Sequence, residues 1–142
     1  MMNDREMLTS ILRNVQTGQL GIRSILDTSL RPALRKVLQT QLQEYNAIEA
    51  EVCAAASQRG WELKEIQPAR RMAANLCLRR KLERVNTDSV IADMMIRRNT
   101  ESMITALKDQ HRYGQQNFRI DALSQRLVDC ESANIRRMQP FL

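Results

Sequence analysis

Apolar residues recur at helical spacing over most of this chain. At about 100° per residue, Met7, Ile11, Val15, Ile22 and Ile25 share one face with Gly18, while Arg5, Arg13 and Arg23 fall largely elsewhere. The spacing predicts a first helix over residues 4–26, capped by Asn3 or Asp4 and ended by Asp27-Thr28-Ser29. Ser29 is the expected cap of a second helix, with Pro32 tolerated in its first turn. Centred on Tyr45, the second stripe is Leu34, Leu38, Leu42, Val52 and Ala56, and Glu49 lies inside it. This helix runs to Arg59. Gly60-Trp61 then reads as a left-handed glycine followed by an apolar residue that folds back.

The stretch "WELKEIQP" reads as an irregular connector, and Pro68 opens a shorter helical segment with Met72, Leu76 and Leu82 available for packing. Asn86-Thr87-Asp88 offers the cap of a third long helix, whose face centred on Asn99 holds Ala92, Met95, Ile96, Met103 and Ala106. Its opposite side carries Val90, Met94 and Ile104, a strip expected to be covered by the crossover segment or by a second subunit in a homodimer. Gly114 stops it. The fourth helix begins near 117–119, has the stripe Ile120, Leu123, Leu127, Cys130, Asn134 and Met138, and ends at Pro140.

Four long amphipathic helices with two short loops predict an all-α bundle of two antiparallel pairs. The middle connector is long enough to return along the bundle carrying its own short helix, so residues 1–142 form a single domain.

Composition narrows the possibilities. With 142 residues there is enough chain for one core, and four Gly with three Pro leave long stretches free for helix. No window of about 18 apolar residues exists, so no membrane span is expected, and the N-terminus lacks the apolar run of a secretory signal. A cytoplasmic protein is the expectation. Cys53, Cys77 and Cys130 are odd in number and form no Cys-x-x-Cys, which argues against a disulfide framework or a zinc site. Two fall on apolar helix faces, so reduced, buried thiols are expected. The net charge is +6. Arg70, Arg71, Arg79, Arg80, Lys81 and Arg84 concentrate part of it in the crossover, a candidate nucleic-acid patch. No aromatic residue interleaves these bases for stacking, so a solvated face is the preferred reading.

The two halves echo each other, with "QTGQLGIRSIL" (16–26) standing to "RRNTESMITAL" (97–107) so that Gly18 matches Asn99. Together with Gln41-Leu42-Gln43-Glu44-Tyr45, the run Ile91 to Ile96 and the closing Glu131 to Ile135, this duplicated hairpin resembles the ferritin-like superfamily. More closely, it is similar to small bacterial members related to spore-coat F-type proteins. The resemblance implies a bundle with one long crossover and a possible spore association. It also implies a di-metal centre built from one Glu on each of two helices and Glu-x-x-His on the other two.

Carried over residue by residue, the lone Glu positions fall on Gly18 and Asn99. The first Glu-x-x-His falls on Leu42 and Tyr45, the second on Glu131 and Asn134. One carboxylate of the set survives, and Gly or Leu can ligate nothing. No cofactor is therefore expected. Tyr45, Glu49, Asn99, Glu131 and Asn134 are expected to form an interior polar cluster that fixes helix register, in preference to a cation site on Glu49 and Glu131. His111 reads as a solvated residue near a helix end, and no nucleophile–base pair supports catalysis.

The expected function is a non-enzymatic structural or protein-interaction module. The alternatives are a metal-dependent oxidase or peroxide-handling protein with a rearranged site, and a nucleic-acid-associated protein using the basic crossover.

Overall fold

In a computed structural model, residues 1–28, 30–65, 70 and 87–142 are described. Helix α1 spans Asp4–Leu26, α2 spans Pro32–Gln58, α3 spans Asp88–Tyr113 and α4 spans Phe118–Met138, followed by a 3-10 turn at Gln139–Phe141. The chain is an all-α four-helix bundle.

Local chemistry sets the helix ends. Asn3 accepts from Glu6 N, Thr87 from Val90 N, and Asn117 from Arg119 N and Ile120 N, each satisfying donors that the first turn leaves open. The second helix corrects the expected Ser29 cap. Its N-cap is Arg31, held extended by the following Pro32 and making no side-chain cap bond. At its other end Gly60 has φ +68°, Gly60 N donates to Ser57 O and Trp61 N to Ala56 O, both at 3.0 Å. That pair of bonds closes the helix, and half-buried Trp61 packs back onto the core.

Cross-helix contacts fix the directions. Ser10 meets Asp109, Asn14 meets Ser102 and Thr17 meets Arg98, so α1 and α3 are antiparallel. Gln58 meets Arg119, Glu51 meets Arg126 and Glu44 meets Arg137, so α2 and α4 are antiparallel too. The starts of α2 and α3 lie together, with Arg31 and Asp88 3.8 Å apart. The order is up, down, down, up, which puts the end of α2 and the start of α3 at opposite ends of the bundle. The segment after α2 sets out along α1, with the carbonyls of Glu62 and Lys64 accepting from Arg5 and Arg13. The expected crossover helix lies outside the described residues.

The core takes its residues from all four stripes. Met7, Ile11, Val15, Ile22 and Ile25 of α1 are buried, as are Leu34, Leu38, Ile48 and Val52 of α2. Ile91, Ala92 and Met95 of α3 join Ile120, Leu123, Leu127 and Met138 of α4. Leu42, Ile96 and Met103 are only half-buried at the edges of their stripes. At one end Tyr113 donates to Asp4 at 2.6 Å and Arg59 pairs with the same carboxylate at 2.6 Å. The Tyr113 hydrogen bond is the main cause that holds the Asp4 carboxyl below its usual range.

The thiol expectation needs a correction. Cys130 is buried, and burial pushes its thiol well up. Cys53 is exposed, because it follows buried Val52 by one residue and so points roughly a quarter-turn away from the core. Cys77 lies outside the described residues.

Candidate functional site

At mid-height the bundle narrows around a glycine. Gly18 on α1 faces Tyr45 on α2 so closely that a Cβ there would stand 2.7 Å from ring atoms Cε2 and Cζ. The tyrosine ring therefore occupies space that any side chain at position 18 would need. Its hydroxyl continues toward the opposite pair of helices. It donates to Glu131 Oε1 on α4 at 2.5 Å and lies 3.5 Å from Asn99 Oδ1 on α3. All four helices thus meet at one level through Gly18, Tyr45, Asn99 and Glu131.

Tyr45 and Asn99 are each 1% exposed and Glu131 is 0% exposed. Burial pushes the Glu131 carboxyl up to about 7, opposed by the Tyr45 hydrogen bond and by the positive charge of Arg98. Burial, and then the neighbouring Glu131, also raise the Tyr45 phenol well above its usual range, so it stays a donor. Glu131 is the only member of this level that changes charge near neutrality.

Of the two other residues of the expected cluster, Asn134 also hydrogen-bonds the Tyr45 hydroxyl and Glu49 does not reach it. Asn134 is fully buried one turn along α4, where its Nδ2 donates to Cys130 Sγ at 3.6 Å and its Oδ1 accepts from Arg137 at 3.2 Å. Glu49 is half-buried and accepts from Gln16 Nε2 at 3.4 Å, four residues along α2 from Tyr45. The structure joins Tyr45, Asn99, Glu131 and Asn134, and leaves Glu49 on a separate contact to α1. Among the positions of the basic patch, Arg70 is exposed and Arg71, Arg79, Arg80, Lys81 and Arg84 lie outside the described residues. His111 is exposed.

Three participants were not singled out from the sequence. Arg98 is half-buried; its guanidinium donates to the Thr17 carbonyl and lies against Gly21, where a Cβ would overlap it. The signal for Gly21 was the Gly-x-x-Gly spacing on α1, which leaves two gaps on adjoining turns. Arg98 gave none, because its long side chain runs back across the groove from a position beside the core stripe. Gln41 is 0% exposed, one turn before Tyr45, and the signal was a polar residue in register between Leu38 and Tyr45.

The two glycines should respond oppositely to Ala. Gly18→Ala drives a methyl into a packed aromatic ring, an overpacking cost of about 1–3 kcal/mol that outweighs the helix-propensity gain of about 1 kcal/mol. Gly21→Ala meets only the far end of Arg98, which can swing aside, so the propensity gain should dominate. Chemical denaturation is expected to show Gly18→Ala below and Gly21→Ala at or above wild type.

The donor set does not fit a di-metal centre. Of the positions the resemblance assigns to ligands, only Glu131 carries a carboxylate, and one of its oxygens is taken by Tyr45. Among the described residues no group of three or more His, Cys, Asp or Glu side chains is placed to hold a metal ion. Fold and site together define a four-helix bundle whose centre is a tyrosine–carboxylate hydrogen bond packed on a glycine. Comparison with protein-family profiles, characterised proteins and solved structures finds no match.

Proposed function

We propose that this chain is a non-enzymatic, ferritin-like helical bundle that serves as a structural or protein-interaction module, with Tyr45 and Glu131 standing where relatives of such a fold would hold two metal ions. The observation that carries the reading is the Tyr45 hydroxyl bonded to the buried Glu131 carboxyl, with the ring seated on Gly18. The up, down, down, up order supports the ferritin-like assignment, since an up-down-up-down bundle would make α2 and α3 antiparallel. The interaction role is supported by α3, whose Ile104 and Leu107 are 46% and 39% exposed one turn apart, and by Phe118 at 91%. No helix among the described residues is long and apolar enough to cross a membrane.

Metal analysis tests this reading. Protein purified without chelator is expected to carry iron and manganese far below stoichiometry, and Glu131→Ala to leave that content unchanged. Stoichiometric metal with ferroxidase activity would instead establish the oxidase alternative.

A further inference from the structure

A groove of about 910 Å³ runs between α1 and α3, from Met2 and Arg5 down to Gly18, Tyr45, Asn99 and Glu131 on its inner wall. Two polar atoms of that wall are buried and have no hydrogen-bond partner among the described residues: Asn99 Nδ2, a donor, and Glu131 Oε2. They are neighbours, because the single Tyr45 hydroxyl lies within reach of the partner atom in each group, Asn99 Oδ1 and Glu131 Oε1. Above about pH 7, where Glu131 is ionised, this is an unmet donor beside an unmet acceptor, both buried, an unfavourable arrangement that a ligand with the complementary pair would relieve.

We propose that this groove binds an uncharged small molecule carrying a carboxamide or lactam edge, its carbonyl accepting from Asn99 Nδ2 and its N–H donating to Glu131 Oε2. Charge argues for a neutral edge. A ligand carboxylate would set a second acceptor against Glu131, and an amidinium would bring a cation toward Arg98, which already crosses from α3 to the Thr17 carbonyl. The outer wall mixes Arg13 and Arg98 with Glu6 and Glu101, so it does not strongly select an ion of either sign. Hydroxyl and amide groups such as Asn14 and Ser102 give the ligand body a polar surround.

Nicotinamide and nicotinate form a matched pair of probes, alike in ring and different in edge. In NMR titrations of the full chain at about pH 8, where Glu131 is ionised, nicotinamide is expected to shift the Asn99 side-chain amide and the Gly18 backbone amide saturably, and nicotinate to leave them in place. Asn99→Leu should weaken nicotinamide binding about tenfold or more, since a site built around a hydrogen bond discriminates strongly when the partner is missing. Glu131→Gln leaves its one oxygen to Tyr45 and sets an amide donor where Oε2 accepts, so it should weaken nicotinamide binding as well. Should Asn99→Leu fail to fold, the wild-type comparison of the two probes decides alone. Equal shifts with both probes, or undiminished binding to a folded Asn99→Leu, would overturn the proposal. So would the absence of any saturable shift, which would mean that solvent alone fills the groove.

Discussion

Replacing Tyr45 with Ala is expected to lower the unfolding free energy by about 3–5 kcal/mol, the range for a large aromatic lost from a core. The ring is 1% exposed and lies between Gly18 and the α3–α4 pair, and Gly18 has no side chain to collapse into the gap. Tyr45→Phe keeps the volume and removes only the hydroxyl. Glu131 then loses its one hydrogen bond among the described residues, leaving both oxygens unmet at 0% exposure. The cost should be about 1–3 kcal/mol, in keeping with a buried polar group stripped of its partner. Equilibrium denaturation of both variants separates the packing contribution from the hydrogen bond. Midpoints close to wild type for both would place the ring in solvent.

The pH profile of stability should show the second large effect. Glu131 titrates near 4.5 in the unfolded chain and at about 7 in the bundle, so the folded state holds the proton more tightly. Between those values the native state binds more protons than the unfolded state, and stability therefore falls as pH rises. The loss begins near pH 4.5 and is complete above about pH 7. It amounts to roughly 3 kcal/mol, since each tenfold difference in proton affinity between the two states is worth about 1.4 kcal/mol. Asp4, whose carboxyl is held below its usual range, acts with the opposite sign and at more acid pH. Glu131→Gln mimics the protonated form and should flatten this slope. At pH 8 the variant should equal or exceed wild type in stability, while near pH 5 the two should converge. A wild-type profile flat from pH 5 to pH 8 would show that the Glu131 carboxyl is open to water.

Much of the architecture can be read from the chain because the stripes of α1 and α4 are regular. Every apolar position assigned to the face of the first helix is buried, and all six of the fourth-helix stripe are buried. Gly60 and Gly114 also declare the ends of α2 and α3, since each takes a positive φ that other residues resist. The misreadings arise where one feature overrides another. Ser29 is a good capping residue by type, but Pro32 displaces the helix start to Arg31. Cys53 is apolar by type, but its phase on α2 turns it outward.

The centre was partly legible. Tyr45, Asn99 and Glu131 lie in phase on three different helices, so period alone brings them to one level. Glu49 is also near that phase, yet it lies one turn farther along α2 and finds Gln16 first. Arg98 was beyond reach of a reading by phase, because its guanidinium is placed by side-chain length and by the gap at Gly21.

A double-mutant cycle across Tyr45 and Glu131 tests most directly whether this hydrogen bond occupies the bundle centre. Stability would be measured for wild type, Tyr45→Phe, Glu131→Leu and the double variant at one pH below 6, where the Glu131 carboxyl is largely protonated and Leu removes the acceptor with little change of volume. A direct bond between buried partners predicts a coupling energy of about 1–3 kcal/mol. Additive single effects would contradict the account, leaving the Glu131 carboxyl free of Tyr45 and the centre of the bundle without the contact that closes it.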